Sequence, residues 1–192
     1  MEKIKIGITS GDINSVSLEV ILKSLSQESI FQYITPVIYG NIKIASYHKN
    51  IVNLENLSLN VINPGEKPKS GRINVVNSWT DNVTINLGKP SVEGGKFAMM
   101  ALDNALEDLK NGTLDALVTG PIHKYSMKLA GFPFTGHTDY LKDKTNSKEV
   151  LMMMVSEKLK VGLVTDHLPL SQVTSQITKE LISRKIQIME QS

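Results

Sequence analysis

The stretch Ile4-Lys5-Ile6-Gly7-Ile8-Thr9-Ser10-Gly11-Asp12 decides the fold, because a short β-branched run ends abruptly in turn-forming residues. Apolar residues then recur at helical spacing from Ser17 to Ser26. These segments predict a strand, a loop and a helix in succession. Repetition of that unit is typical of a parallel α/β sheet.

The same alternation continues along the chain. Further strands are predicted at residues 35–40, 57–62, 73–76, 83–87 and 114–118, the three between 57 and 87 being short and partly peripheral. Helices are predicted at 42–48 and 94–109, the second closed by Asn111-Gly112. Apolar runs at 150–155 and 161–164 predict a strand pair, and a last helix opens near Ile177. We predict an α/β fold with a mostly parallel sheet covered on both faces.

Composition excludes several classes of protein. The 192 residues are 41% hydrophobic and 21% charged, which is ordinary for a globular chain with a core. The 21 basic and 19 acidic residues give a net charge of +2 and form no basic block, so nucleic acid is a poor candidate partner. No run approaches the roughly eighteen apolar residues of a membrane-spanning helix, so we expect no membrane partner and a cytoplasmic protein. Because cysteine is absent, any metal site must use His, Asp or Glu.

Several predicted loops carry side chains suited to a ligand, because parallel sheets bind ligands beyond the carboxyl ends of their strands. The strand-end loops are Thr9-Ser10-Gly11-Asp12, Thr119-Gly120-Pro121-Ile122-His123-Lys124 and Thr165-Asp166-His167, and the Gly136-His137-Thr138 loop joins them. Glycine allows close backbone approach, and Lys124 supplies positive charge. We expect a site for a small phosphorylated or carboxylated molecule.

The four histidines have different surroundings. His48 lies in a polar stretch, and we expect it at the surface. His123 either caps a helix start or serves the site, and both alternatives stay open. His137 and His167 follow apolar runs in Gly/Pro/Thr-punctuated loops, which favours function, but no histidine spacing fixes a metal unaided. The run Met152-Met153-Met154 is expected to pack in a core.

Four motifs occur in the order Ile8-Thr9-Ser10-Gly11-Asp12, Ala116-Leu117-Val118-Thr119-Gly120-Pro121-Ile122-His123-Lys124, Ala130-Gly131-Phe132-Pro133-Phe134-Thr135-Gly136-His137-Thr138 and Asp166-His167-Leu168-Pro169-Leu170. Together they resemble the PdxA family of 4-hydroxythreonine-4-phosphate dehydrogenases of pyridoxal phosphate biosynthesis. The resemblance runs from near Ile4 to about Leu181, and the middle two motifs are specific.

The resemblance implies an isocitrate/isopropylmalate dehydrogenase-like fold, with two α/β domains flanking a cleft and here incomplete, in a homodimer. Residues 1–130 would form the N-terminal part of the first domain, and residues 131–192 the beginning of the second, on the dimerisation side. The implied reaction is NAD-dependent oxidation, with decarboxylation, of 4-phosphohydroxy-L-threonine to an amino ketone phosphate.

The resemblance also implies roles for individual residues. His137 and Thr138 match substrate-binding positions, and His167 matches the first of three histidines that hold a divalent metal such as Zn, Mg or Co. The metal would act as a Lewis acid on the substrate's hydroxyl and carbonyl oxygens. Lys124 is expected to help neutralise the anionic substrate.

Two departures from the family pattern bear on this expectation. Ser15 and Ser17 stand where the family's first loop has glycines, which leaves open any positive φ or close packing there. The family chain continues well past Ser192, and its remainder is expected to carry the other two metal-binding histidines and most of the nicotinamide site. Two alternatives follow: a paralogous dehydrogenase of four-carbon acid phosphates (phosphothreonate or phosphoerythronate), or a truncated, non-catalytic fragment.

Overall fold

Two compact units divide the chain in the computed structural model, which describes residues 3–191. The first unit ends at Pro133 and the second begins at Phe134. The domain bounds 1–130 and 131–192 concern the fold of a whole family member and stay a prediction. Within residues 3–191, every helix is too short or too polar to cross a lipid bilayer.

The first unit alternates strands and helices, as the sequence predicts. Its elements are β1 (Ile4–Thr9), α1 (Ser17–Leu25), a 3₁₀ turn (Glu28–Gln32), β2 (Ile34–Gly40), α2 (Ile42–Ile51), β3 (Leu59–Ile62), β4 (Ile73–Asn77), α3 (Val92–Lys110), β5 (Ala116–Thr119) and α4 (Lys124–Leu129).

The sheet of this unit is parallel throughout, which confirms the predicted sheet type. Within the described residues it has five strands in the order β3-β4-β2-β1-β5. The loops after β1 and β5 therefore lie side by side, because these strands are neighbours. β5 pairs with β1 on one side only, and its Val118 side chain is 52% exposed.

The core follows from the apolar periodicity of the helices. On α1 the buried apolar residues fall at the i, i+3, i+4 and i+7 positions of one helical face: Leu18, Ile21, Leu22 and Leu25. They belong to the same cluster as the buried residues of β2 and β4 and as Phe97 on α3. Trp79 stacks on Phe97 with a ring-centroid distance of 4.6 Å. The loop after β1 and the edge of the sheet therefore lie next to a tightly packed core.

One polar pair is buried within this core. The Tyr39 hydroxyl donates a hydrogen bond of 2.6 Å to Asp108 Oδ2, which ties β2 to α3. Burial, followed by the hydrogen bond and charge of Asp108, raises the pKa of Tyr39 far above its ordinary value. Tyr39 is therefore a neutral donor throughout the accessible pH range.

The second unit is more exposed. Its elements are α5 (His137–Lys144), the antiparallel pair β6 (Met153–Val155) and β7 (Lys160–Gly162), α6 (Leu170–Gln176) and α7 (Lys179–Gln191). The predicted strand pair and last helix are confirmed. Of its described residues only Tyr140 is buried. Met154 is 61% exposed, so the expectation that the methionine run packs in a core is wrong for that residue.

Two predictions fail for the same physical reason, a long-range hydrogen bond. Residues 83–87 form no strand; the backbone N–H of Asn86 donates to Asn14 Oδ1 (2.7 Å), so a side chain takes the place of a sheet neighbour. His48 is not at the surface but 3% exposed, and its Nε2–H donates to the Ile13 carbonyl oxygen over 2.8 Å. β4 is also not peripheral, since it lies between β3 and β2.

Candidate functional site

The loops after β1 and β5 are joined by backbone hydrogen bonds at the carboxyl edge of the sheet. The Gly120 N–H donates to the carbonyl oxygen (3.1 Å) and to the hydroxyl oxygen (3.0 Å) of Thr9. The Asp12 N–H donates to the Pro121 carbonyl oxygen over 3.0 Å. Two of the predicted site loops are thus brought together as one surface.

Gly11 is required for this junction. Its φ is +64°, in the left-handed region, and a Cβ there would lie 2.2 Å from the Pro121 carbonyl oxygen. Both the conformation and the contact exclude a side chain. The glycine in the Gly11-Asp12 motif therefore lets the two loops meet.

Asp12 and Asn14 link the first loop to the start of α3, a connection that the sequence did not reveal. The buried Asp12 carboxylate accepts from the Asn14 N–H (2.8 Å), and a Cβ on Gly94 would lie 2.8 Å from Asp12 Oδ1. Its negative charge lies beside the first turn of α3, where the helix dipole favours an anion. The Asn14 amide nitrogen donates to Ser91 Oγ (3.1 Å), and Ser91 caps the same helix through the Gly94 N–H.

The two serines that replace family glycines need no positive φ, although the buried Oγ of Ser17 has no hydrogen-bond partner among the described residues. Among the described residues, the non-glycine positions with positive φ do not include Ser15 or Ser17. Ser15 Oγ donates to the Asp12 carbonyl oxygen (2.8 Å) and accepts from the Ser17 N–H (3.1 Å). Ser17 is fully buried, and its Oγ would be 2.6 Å and 2.5 Å from a Cβ placed on Gly11 and Gly120. The positions of these loops that require glycine are Gly11 and Gly120 instead.

His123 and Lys124 follow directly at the end of the second loop. His123 is the N-cap of α4, and its Nδ1 accepts from the Ser126 N–H over 3.2 Å. The helix-capping alternative for His123 is therefore confirmed. Lys124 is the first residue of α4 and is exposed, and its role with an anionic ligand stays a prediction.

In the second unit, His137 and Thr138 open helix α5 rather than lying in a loop. The N-cap is Gly136, which has no side chain to satisfy the first N–H groups of the helix. His137 Nε2 is buried and has no hydrogen-bond partner within the described residues. Burial lowers the pKa of His137, so its imidazole is neutral near pH 7. His137 Nε2 is thus a buried polar atom in the first turn of α5 without a hydrogen-bond partner among the described residues, and its role with a substrate stays a prediction.

His167 lies in the second unit with a φ of 51°, an uncommon conformation for a non-glycine residue. Its side chain and that of Asp166 are exposed. From residue 3 to residue 191, no three His, Cys, Asp or Glu side chains are grouped so that they could hold a metal ion. The described donors do not make up a metal site. The assignment of His167 as one metal ligand stays a prediction.

A parallel sheet with glycine-dependent, polar loops at its carboxyl edge is typical of α/β proteins that bind a small molecule there. A family model described as the pyridoxal phosphate biosynthetic protein PdxA matches residues 32–192. The chain belongs to this family.

Individual relatives support the same membership. The chain is 39% identical over 187 residues to a 4-hydroxythreonine-4-phosphate dehydrogenase of Bacteroides thetaiotaomicron, a match that covers 97% of this chain and 51% of the relative. It is 36% identical to the enzyme of the same name from Sulfurihydrogenibium sp., covering 97% and 56%. A crystal structure of a 4-hydroxythreonine-4-phosphate dehydrogenase from Burkholderia phymatum matches with a TM-score of 0.84 and 28% identity, covering 97% and 57%. The chain spans about half the length of these relatives.

Proposed function

We propose that the chain is the substrate-binding portion of an NAD-dependent dehydrogenase that oxidises 4-phosphohydroxy-L-threonine in pyridoxal phosphate biosynthesis. One observation carries the proposal: relatives 39%, 36% and 34% identical over nearly the whole chain share the name 4-hydroxythreonine-4-phosphate dehydrogenase. The same proposal includes the isocitrate dehydrogenase-like arrangement of two domains about a cleft, a homodimer and a cytoplasmic location.

The proposed oxidation requires three things of the protein. It must bind a phosphate and a carboxylate, hold the hydroxyl-bearing carbon still, and release a proton from that hydroxyl. NAD, when bound, accepts the hydride from this carbon, and the resulting β-keto acid loses its carboxylate as carbon dioxide to leave the amino ketone phosphate. The proposal includes a divalent metal only because His167 matches one of the family's metal ligands.

His137 and Thr138 are the residues that we assign to the substrate. The buried Nε2 of His137 lacks a partner, and a buried polar atom left unpaired costs about 1–3 kcal/mol. A substrate oxygen at this atom removes that cost. Thr138 adds a hydroxyl in the same first turn of α5, where the N-cap supplies no side-chain acceptor. Lys124, at the sheet edge of the first unit, contributes positive charge in the proposal.

The test is the appearance of NADH absorbance when the purified protein is mixed with NAD, a divalent metal and each of three acids. These are 4-phosphohydroxy-L-threonine, phosphothreonate and phosphoerythronate. We expect little NADH from this chain by itself, because it spans about half of its relatives' length and most of the nicotinamide site is expected in the other half. In a version that includes that half, NADH should form fastest from 4-phosphohydroxy-L-threonine. Faster reaction of either other acid would identify the paralogous dehydrogenase instead.

The assay needs a binding measurement beside it, because a chain with one metal donor could bind substrate without oxidising it. Substrate binding without NADH formation, in a version that includes the other half of the family sequence, would favour the non-catalytic alternative. His137→Ala should weaken binding of 4-phosphohydroxy-L-threonine by roughly tenfold or more, the effect of losing one hydrogen bond to a charged group. Unchanged affinity would remove His137 from the site.

A further inference from the structure

We propose that Asn111 is a modification site, which deamidates spontaneously to aspartate and isoaspartate, and that the product loosens the turn between α3 and β5. The proposal concerns the first unit alone and involves neither the substrate nor NAD, so it goes beyond the function proposed above. It begins from the Asn111-Gly112 pair that closes α3.

Asn111 is the single asparagine of the chain that is followed by glycine. Deamidation begins when the backbone nitrogen of the next residue attacks the asparagine side chain, and glycine has no Cβ to hinder that attack. Asn111 and Gly112 are both exposed, and a Cβ placed on Gly112 would meet nothing within 4 Å. Within residues 3–191, the side-chain amide of Asn111 has no hydrogen-bond partner to hold it away from this nitrogen.

The reaction consumes only water. The Gly112 amide gives up its proton to a base, and its nitrogen forms a bond with Cγ of Asn111. The bond between Cγ and the side-chain nitrogen breaks, and ammonia leaves with a proton from the base. Water then opens the cyclic imide at one of its two carbonyl carbons. The product is aspartate, or isoaspartate where the main chain now continues through Cγ.

This reaction requires the carboxyl end of α3 to open. Asn111 has a ψ of −1°, and the Gly112 nitrogen reaches Cγ only after this angle rotates toward the extended region. The Gly112 N–H also donates to the Leu109 carbonyl oxygen over 3.2 Å, a bond of the last helical turn. Terminal turns of helices fray at little cost in free energy. We therefore expect deamidation in the folded protein, but more slowly than in an unstructured peptide.

Isoaspartate would disturb the junction that follows. The Thr113 and Leu114 N–H groups both donate to the Asp108 carbonyl oxygen, over 2.9 Å and 3.3 Å. Isoaspartate lengthens the backbone by one carbon directly before this junction. Leu114 is buried, and its Cδ1 would lie 2.5 Å from a Cβ placed on Gly7 of β1, so the leucine has little room to move.

Both products also add a negative charge where a helix disfavours one. Asn111 is the C-cap of α3, and the dipole of a helix is negative at its carboxyl end. Glu107 lies four residues earlier, is exposed and carries a charge of the same sign. Modified protein should therefore be less stable than fresh protein.

Peptide mapping by mass spectrometry measures the conversion in the 192-residue protein during incubation in mildly alkaline buffer. Labelling by a protein-isoaspartate methyltransferase identifies the isoaspartate product. Asn111→Gln is the test variant, because glutamine closes the corresponding larger ring far more slowly. Asn146→Gln is the matched control, since Asn146 is also exposed and lies just after a helix, but serine follows it. Urea denaturation, followed by the fluorescence of Trp79, compares the stability of fresh and incubated proteins.

We expect conversion at residue 111, loss of the isoaspartate signal in Asn111→Gln and an unchanged signal in Asn146→Gln. Incubated parent protein should unfold at a lower urea concentration than fresh parent, and Asn111→Gln should show no such shift. An intact Asn111 after a time that converts a synthetic peptide of residues 107–117, or earlier conversion of Asn146, would overturn the modification site. Conversion of Asn111 without a shift in the urea midpoint would overturn the loosened turn.

Discussion

Replacement of Gly95 by alanine should have two opposing effects on stability, and the size of each can be estimated. Gly95 lies inside helix α3, where alanine is favoured over glycine by about 0.8–1.0 kcal/mol. The new Cβ would, however, lie 2.1 Å from the Ser126 carbonyl oxygen and 2.9 Å from Ala130 Cβ. The nearest atom belongs to the backbone of α4, so the whole helix must shift. Overpacking of this kind costs about 1–3 kcal/mol and occasionally more.

The contact should outweigh the helix preference, because no side-chain rotation relieves it. We expect Gly95→Ala to lower the free energy of unfolding of the first unit by about 1–2 kcal/mol. A contact with backbone belongs in the upper part of the overpacking range, about 2–3 kcal/mol, and the propensity gain of about 1 kcal/mol is subtracted from it. Urea denaturation followed by fluorescence measures this change. Trp79 is the single tryptophan, and it is buried in this unit against Phe97 of α3.

The matched control is Glu107→Ala, an exposed substitution on the same helix that should stay within about 0.5 kcal/mol of the parent. A Gly95→Ala protein as stable as the parent would refute the tight α3–α4 contact.

Other predictions concern buried polar groups. Tyr39→Phe leaves the buried Asp108 carboxylate without its donor and should cost about 1–3 kcal/mol in urea denaturation, whereas Tyr33→Phe, at a 71% exposed site, should be neutral. Burial lowers the pKa of His48 and of His137 below the ordinary 6.5, so the unfolded chain binds protons first as the pH falls. Stability should be constant above that value and decline as the pH falls below 6.5 toward the folded-state pKa values. His48→Gln should flatten the decline in a pH series of thermal denaturation, and an equally steep decline would contradict the assignment.

The strands and long helices were predictable because local patterns encode them. The β-branched run of β1 and the one-sided apolar face of α1 each identify an element without knowledge of its neighbours. The segment 83–87 shows the limit of this reasoning. Its Val-Thr-Ile-Asn-Leu alternation suits a strand, but its hydrogen bonds go to Asn14, far away in sequence. The sequence predicts a loop where the short helix α5 lies, since one or two turns give little periodicity.

The candidate site, too, could be predicted only in part from the sequence. Strand polarity alone predicts that the loops after β1 and β5 lie at the same edge of the sheet, but that these two strands are neighbours is seen only in the structure. The hydrogen-bond path from Asn14 through Ser91 to Ser126 was not predictable, because these residues are widely separated and each is common in loops. His48 was misassigned for a related reason: nothing near it in sequence indicates the Ile13 carbonyl that binds it.

Isothermal titration of the purified chain with 4-phosphohydroxy-L-threonine tests the proposed function most directly. We expect saturable binding that is tighter than that of phosphothreonate or phosphoerythronate, with a loss of roughly tenfold in His137→Ala. No heat of binding from the parent chain, or equal affinity of the parent and His137→Ala, would contradict the claim that this chain carries the substrate-binding portion of the enzyme.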